Sequence, residues 1–301
     1  MNRFQANICL ITVLICWSFE VVLFKNIPMS VPWLAVMAMI SFIGFAVLGL
    51  LFFTHIKRHF SFRLWRKVLL LALLNIAYNV PMMEAVHYLP TMTSVFAATA
   101  SLLIMPFLLL LTHEKIRWQT WLGGGLVLMG ILFSLDWTLP WGQTVGLMYM
   151  GIHVIVWTIY LFLLNGLSKQ NDPLTISALS LGSVSICSCL LYFCIDPQGF
   201  FHFEYSSTLL SSVFADGYFI CAFATVINIY AQKYLTPLNT VAINALNPII
   251  NIILVLTLPS ILLEKTELSP WIMVSCILVM MGSFVCEADW DTLEQRCRRR
   301  S

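Results

Sequence analysis

Apolar stretches of about twenty residues recur along nearly the whole chain, and no other feature limits the possible folds as much. Each stretch is long enough to cross the hydrocarbon core of a bilayer. Of the 301 residues, 60% are hydrophobic and only 10% are charged, whereas about a quarter of a soluble domain is charged. The sequence therefore predicts a polytopic membrane protein with no soluble domain. The net charge of +2 is too small to indicate nucleic-acid binding.

The predicted fold class is all-α, because a backbone exposed to lipid must satisfy its own hydrogen bonds. Short loops separate the apolar stretches, so consecutive helices are expected to pack closely. Ten transmembrane helices are predicted, at about 7–24, 32–54, 66–87, 90–111, 118–135, 142–164, 174–195, 208–232, 236–258 and 270–286.

The basic residues predict the orientation of these helices. If the N-terminus is cytoplasmic, only Lys25 and Lys265 of the sixteen Lys and Arg fall outside, which leaves fourteen inside. Cytoplasmic segments carry such an excess of basic residues, so both termini are expected inside a multi-pass inner (plasma) membrane protein. The basic tail either contacts anionic headgroups or only anchors the topology.

Two segments of the chain resemble each other. HYLPTMTSVFAATASLL at 87–103 aligns with KYLTPLNTVAINALNPI at 233–249, and a Glu-Lys pair follows each segment. The predicted organisation is a five-helix repeat at 1–136, a second repeat at 137–286 and a cytoplasmic tail at 287–301. Because five is odd, the second repeat is expected to be inverted relative to the first. Inverted repeats are common in secondary transporters, which bind substrate near the midplane between the repeats.

Several motifs together resemble the drug/metabolite transporter superfamily, and most closely its EamA-type branch. They are Trp17-Ser18 in the first helix, the Tyr-Leu-x(2,3)-Thr/Ser pattern entering the fourth and ninth helices, and the glutamate after each. The resemblance implies a central cavity lined by helices one to four and six to nine, with helices five and ten outside it. One departure is that Pro248 lies in the middle of its helix, whereas Pro106 is shifted toward a helix end.

The ninth helix carries an unusual polar stripe within the sequence NTVAINALNPIINIIL. Thr240, Asn244, Asn247 and Asn251 are spaced i, i+4, i+7 and i+11, so they share one face of a helix. Amides are costly in lipid, and the stripe is therefore expected to line the transport cavity. The alternative is that these side chains only form hydrogen bonds between neighbouring helices.

Acidic residues inside predicted spans are the next candidates, because an intramembrane acid is a functional candidate by default. Glu20 shares a face with Trp17 and Phe24. An acid beside an aromatic wall suits a cationic or zwitterionic ligand. No cation lies in the same span, so Glu20 could either exchange protons or bind a cationic substrate.

Two further acids are less clear from the pattern. Asp216 shares a predicted face with Ser212, Phe219 and Phe223, which suggests a second acid beside aromatic rings. Glu84 lies near a predicted helix end, so it could equally be a hydrated acid at the membrane interface without a functional role. Whether Glu84 faces the cavity is left open.

Two other helices contribute candidate residues. His153 and Trp157 lie on one stripe of the sixth helix, and His153 could carry a proton or simply be hydrogen-bonded packing. Asn75 and Asn79 form an i, i+4 pair on the third helix. The predicted substrate-binding residues are Trp17, Glu20, Asn75, Asn79, His153, Trp157, Asp216, Asn244 and Asn247. The proton-coupling candidates are Glu20, Asp216 and His153.

The chain has no Walker loop, HExxH or GxSxG motif, so neither an enzyme nor ATP coupling within this chain is expected. No cofactor, catalytic residue or metal site is predicted. The expected function is secondary transport of a small organic metabolite by alternating access. Export of an amino acid or a similar amphipathic compound is the leading hypothesis. Proton-coupled transport and facilitated exchange are both compatible with the sequence. The expected partners are the substrate, protons and membrane lipids, with no nucleic acid, and the oligomeric state is open.

The sequence is also compatible with two alternative functions. The first is an importer or exchanger of a nucleoside-like or S-adenosylmethionine-like metabolite. The second is a non-transport intramembrane protein, which the inverted repeat disfavours.

Cysteine labelling tests the predicted orientation. We expect a membrane-impermeant thiol reagent added outside to label K265C but not K115C, in a background without accessible native cysteines. The reason is that the two Glu-Lys pairs should lie on opposite sides of the membrane. Labelling of both positions, or of position 115 alone, would contradict the inverted repeat.

Overall fold

The computed structural model describes residues 1–25, 27, 31–114, 116–135, 141–201, 206–257 and 269–287. It is 89% helical, and the described residues form no strand. The helices are α1 Arg3–Lys25, α2 Trp33–His59, α3 Phe62–Tyr88, α4 Thr91–Ala98, α5 Ser101–Leu111, α6 Trp118–Ser134, α7 Trp141–Gln170, α8 Pro173–Ile195, α9 Pro197–Phe201, α10 Ser207–Ala215, a π-helix Asp216–Ala224, α11 Thr225–Gln232, α12 Pro237–Asn244, α13 Asn247–Thr257 and α14 Pro270–Glu287. The predicted positions of Lys115, Glu264, Lys265 and the tail beyond Glu287 lie outside the described residues.

Length and composition identify the chain as a polytopic helical membrane protein, as the sequence predicted. Seven helices of the described chain are long and apolar enough to cross a membrane. Two others are shorter but apolar, α6 with 17 residues and the segment Pro270–Cys286 of α14. The count of ten spans remains a prediction.

Polar residues at the helix starts fix several of the boundaries. Ser61 accepts a hydrogen bond from the Leu64 amide at 3.1 Å, and Asp172 accepts one from the Thr175 amide at 2.8 Å. Such caps satisfy amide groups that have no partner within the helix. Pro173 follows the Asp172 cap at the first helical position, where its missing N–H has no cost.

The predicted fourth and ninth helices are each broken into two. Thr99–Ala100 separate α4 from α5, and Ala245–Leu246 separate α12 from α13. Both breaks contain i to i+3 hydrogen bonds, which tighten the chain locally. Their causes differ. The Thr99 hydroxyl donates to the Phe96 carbonyl at 2.6 Å, whereas Pro248 has no N–H to bond the Asn244 carbonyl.

The π-helix corrects one prediction made from α-helical spacing. Phe219 and Phe223 were expected to share a face with Asp216, but they are 63% and 38% exposed while Asp216 is only 1% exposed. A π-helix bonds each residue to the fifth along rather than the fourth, so residues that share a face in an α-helix move apart. The aromatic wall predicted beside Asp216 is therefore wrong. Its neighbour Ser212, which precedes the π-helix, is buried with it.

The helices pack in a small number of pairs. α2 packs against α8, α3 against α7, and α6 against α14, while α1 packs against the π-helix and α11. In the middle, α4 contacts α13 and α5 contacts α12. The largest buried apolar cluster joins α3, α5 and α7 to α12.

Glycines allow α6 and α14 to approach closely. A Cβ on Gly123 would lie 2.6 Å from the Gly282 carbonyl oxygen and would also collide with the Cys286 sulfur. Small residues let membrane helices pack backbone to backbone. The glycine run at 123–125 is therefore a helix-packing site at Gly123, whereas Gly125 has open space around it.

A matched pair of glycine substitutions tests this packing. We expect G123A to lower the Tm of the detergent-solubilised protein relative to G125A, because overpacking costs about 1–3 kcal/mol. Both changes gain the same helix propensity, of about 1 kcal/mol, so their difference reports the contact with α14. Equal Tm values for the two variants would contradict the close approach.

Candidate functional site

A cavity of about 160 Å³ lies between helices from both parts of the chain. It is lined by residues of α1, α2, α3, α7, α8, α11 and the π-helix, and by residues on both sides of the two helix breaks. Eight of the nine predicted substrate-binding residues line it: Trp17, Glu20, Asn75, Asn79, His153, Trp157, Asn244 and Asn247. Asp216 is not among the lining residues.

Aromatic rings form one wall of the cavity. The Trp157 ring packs edge-on against Trp17 at 5.6 Å and against Tyr78 at 4.8 Å, measured between ring centroids. Tyr160 lies 5.1 Å from Tyr78, and His153 stacks on Trp157 at 6.3 Å. The wall can therefore offer both ring faces and polar edges to a bound molecule, including a cation over a ring face.

A chain of hydrogen bonds runs along α3. The Asn79 amide donates to Asn75 Oδ1 at 3.0 Å, and the Asn75 amide donates to the Tyr78 hydroxyl oxygen at 2.7 Å. Because Tyr78 accepts this bond, its own hydroxyl proton remains available to another acceptor. The pair predicted from i, i+4 spacing is thus part of a network that ends on an aromatic residue of the cavity wall.

His153 is held in one orientation by the backbone of α3. Its Nδ1 lies 3.0 Å from the Tyr78 carbonyl oxygen, which can only accept, so Nδ1 is the donor. In the neutral ring the lone pair is then on Nε2. The ring is buried, at 5% exposure, yet it lines the cavity.

Glu20 and Asp216 form a pair of acids at different depths from the cavity. Glu20 is half-buried and lines the cavity, whereas Asp216 lies behind it, and the two carboxylates interact electrostatically. Both Asp216 oxygens lack a hydrogen-bond partner within the described part of the chain. A buried carboxylate and a half-buried one that interact repel each other, so charging both is costly unless a proton or a bound cation compensates one of them.

The predicted asparagine stripe divides into two kinds of residue. Asn244 and Asn247 line the cavity, and neither amide atom of Asn244 has a protein partner among the described residues. Asn251 instead donates to Ser18 on α1 at 3.0 Å and to Asn247 Oδ1 at 3.1 Å. Thr240 is buried and bonds its own helix. Cavity lining therefore fits Asn244, and interhelical bonding fits Asn251. Asn247 does both, because its Oδ1 also accepts a hydrogen bond from Ser18 at 3.1 Å.

The sequence did not identify some residues of the cavity wall, and it did not decide whether Glu84 faces the cavity. Tyr78, Thr225 and Asn228 all line the cavity. Tyr78 is three residues from Asn75, and the pair Thr225 and Asn228 continues to Gln232 at i, i+3, i+7 spacing, so a polar stripe on this helix was a usable signal. Glu84 does not line the cavity, in contrast to the asparagine pair on the same helix.

Two asparagine-to-leucine substitutions distinguish these roles. We expect N251L to lower the Tm, because each interhelical hydrogen bond in a membrane protein contributes about 1 kcal/mol. N244L should leave the Tm unchanged or raise it, because it removes buried amide atoms without protein partners. Thermal unfolding followed by fluorescence in detergent measures both. An equal loss of Tm in the two variants would contradict the division of the stripe.

The chain is similar to known proteins in part of its sequence and in its fold. Residues 5–135 match the EamA-like transporter family. No curated protein matches the chain. A solved structure, "Crystal structure of protein", is similar with a TM-score of 0.69 and 17% identity over 95% of this chain and 98% of that chain.

At that identity the structural likeness supports the fold alone, whereas the family match rests on the residues of the first half. The two findings agree with the motifs that carried the resemblance. The chain therefore resembles the EamA-type branch of the drug/metabolite transporter superfamily, and residues 5–135 carry the family match.

Proposed function

We propose that this protein is a secondary transporter that carries a small organic metabolite through the cavity by alternating access. The observation that carries the proposal is the composition of the cavity wall. An acid without a cationic partner among the described residues, an aromatic cluster and side-chain amides surround one space at two helix breaks. Substrate sites formed at broken helices near the midplane are typical of transporters built from inverted repeats.

We further propose ten membrane helices in two inverted repeats. In the alignment of 87–103 with 233–249, Thr99-Ala100 corresponds to Ala245-Leu246, so both helices break at equivalent residues. The contacts between helices also follow the repeat. α2 with α8 and α6 with α14 pair equivalent helices, and the contacts of α4 with α13 and of α5 with α12 fit an antiparallel crossing. Trp17 touches its sequence equivalent Trp157. The family match at 5–135 covers one five-helix unit.

The size and chemistry of the cavity favour an amino acid or a similar amphipathic compound. A cavity of 160 Å³ has room for on the order of ten water-sized groups. Glu20 and the aromatic faces suit an amino group, while the amides of Asn75, Asn79 and Asn244 suit a carboxylate or carbonyl. A nucleoside-like or S-adenosylmethionine-like substrate is larger, and it would require the cavity to widen.

Proton coupling is proposed through Glu20, with Asp216 as the acid behind it. The two carboxylates interact and cannot both be charged at low cost, so a proton on one of them could leave when a cationic substrate arrives. His153 Nε2 is the third candidate, since the Tyr78 carbonyl holds its other nitrogen. Facilitated exchange is the alternative, in which the substrate cation replaces the proton at Glu20.

The proposed location is the inner (plasma) membrane, with both termini cytoplasmic and export as the direction. The contact between His55 and Asp172 supports this topology, because it joins two segments that the basic residues assign to the same side. Lys57 and Arg58 are near one partner, and Lys169 is near the other.

Uptake of labelled compounds into proteoliposomes tests the proposal. A panel of amino acids, nucleosides and sulfonium compounds, each measured with and without a pH gradient, distinguishes the substrate classes. Saturable uptake of an amino acid above protein-free liposomes supports the proposal. Saturable uptake of a nucleoside or sulfonium compound alone would select the alternative substrate class. Absence of saturable uptake across the panel would count against the proposed site.

Removal of the Glu20 charge tests its role. If Glu20 carries the proton, E20Q should lose gradient-driven transport at least about tenfold while substrate exchange survives, because the amide cannot exchange a proton. If it binds the substrate cation, exchange should fall as well. E84Q is the matched control, since Glu84 does not line the cavity. Wild-type transport by E20Q would show that Glu20 is not part of the site.

A further inference from the structure

We propose a divalent metal site, best suited to Zn²⁺, formed by His55 and His59 at the end of α2 together with Asp172 at the start of α8. One ligand atom from each side chain lies within 4.8 Å of the other two. The site is outside the cavity and independent of the transport function proposed above. Its effect would be to connect α2 to α8 at one end of the bundle.

The two histidines have the spacing of a helical metal-binding pair. Residues four apart lie one above the other on a helix, and two histidines at i and i+4 are a recurrent zinc-binding arrangement. Here the ring centroids of His55 and His59 are 4.4 Å apart, so both rings lie on the same side of α2. Both side chains are exposed, and a metal ion could reach them from solution.

His59 is already arranged as a ligand. Its Nδ1 lies 3.0 Å from the His55 carbonyl oxygen, which can only accept, so Nδ1 carries the proton and Nε2 has the lone pair. Metal-binding histidines typically donate their other nitrogen to a carbonyl or carboxylate, because that bond fixes the tautomer and the ring orientation. The backbone of α2 supplies this bond here.

Asp172 is held in place by the start of α8. Its Oδ2 accepts bonds from the Thr175 amide at 2.8 Å and the Thr175 hydroxyl at 2.7 Å. Partial burial alone would raise the pKa of Asp172, but the bonds from Thr175 and the neighbouring His55 outweigh it, so the pKa lies below its usual value. The carboxylate is therefore charged at neutral pH and oriented toward α2.

The distances agree with a shared ion. His55 Nε2 lies 3.1 Å from Asp172 Oδ2 as a hydrogen-bonded pair, and a bound ion would displace the shared proton. In a tetrahedral zinc site with bonds of about 2.0–2.1 Å, two ligand atoms are about 3.4 Å apart. His59 offers the third ligand atom within 4.8 Å of the other two. Three protein ligands leave a fourth position for water, and the nitrogen and carboxylate donors suit Zn²⁺ better than Ca²⁺ or Mg²⁺.

The position of the site gives it a mechanical consequence. α2 lies in the first proposed repeat and α8 in the second, and the two helices pack along their length. An ion held by residues of both would resist their separation at this end. Bound metal should therefore slow backbone amide exchange at the end of α2 and the start of α8, a readout that needs no transport substrate.

Metal binding to the purified full-length protein tests the proposal, after cleavage of any histidine tag. We expect about one Zn²⁺ per chain by calorimetry, and a rise in Tm with added Zn²⁺. H59Q and D172S should each weaken binding at least about tenfold. D172S keeps a residue that can cap α8, so its fold should be retained. H113N is the control, because His113 is exposed, has a positive φ of 60° that asparagine tolerates, and lies elsewhere.

Cobalt substitution identifies the ligands. The proposed site predicts visible absorption typical of nitrogen and oxygen ligands in Co²⁺-loaded protein, lost in H59Q and kept in H113N. An intense near-ultraviolet thiolate band would instead assign binding to the cysteines and overturn the proposal. Stoichiometric binding that persists unchanged in both H59Q and D172S would overturn it as well, as would the absence of Zn²⁺ binding by the wild-type chain.

Discussion

A polypeptide buried in hydrocarbon has no water to bond, so each interruption of a helix must be compensated within the protein. This constraint explains why the two helix breaks lie at the cavity. At Thr99–Ala100 and Ala245–Leu246 the chain tightens into i to i+3 bonds, and the adjoining residues Asn244 and Asn247 are turned toward the interior. A break facing lipid would leave backbone groups unsatisfied, whereas a break facing a polar cavity does not. The constraint that forces the helices to be continuous elsewhere therefore also locates the candidate site.

The same low-polarity surroundings give the acids their significance. Glu20 and Asp216 interact electrostatically, and within the described structure neither has a cationic partner. In water such a pair would cost little, but in the interior of a helical bundle its repulsion is poorly screened. The pair can be stable with one proton or with one bound cation, and this is the basis of the proposed coupling. The aromatic wall of Trp17, Tyr78 and Trp157 adds a surface that favours a cation without supplying a fixed counter-charge.

Spacing arguments succeeded where the helix was regular and failed where it was not. Asn75 and Asn79 lie on an unbroken α-helix, and both line the cavity, as the i, i+4 pattern predicted. The stripe from Thr240 to Asn251 crosses a break, and its members separate into cavity and interhelical positions. Phe219 and Phe223 lie in a π-helix, whose different hydrogen-bond step turned them away from Asp216. No propensity in a single sequence indicates a π-helix, because its stability depends on packing against α1 and α2.

The sequence by itself determined that the chain is a helical membrane protein, because long apolar stretches leave a bilayer-spanning helix as the only stable backbone. It also determined the family resemblance, and it predicted eight of the residues that line the cavity, since polar side chains in apolar helices must face the interior. Only the tertiary structure decided which polar residues meet a cavity and which bond a neighbouring helix. It also brought Glu20 near Asp216, and His55 near Asp172 across 117 positions of sequence. These contacts join helices distant in sequence, and the periodicity of one helix contains no information about the helix against which it packs.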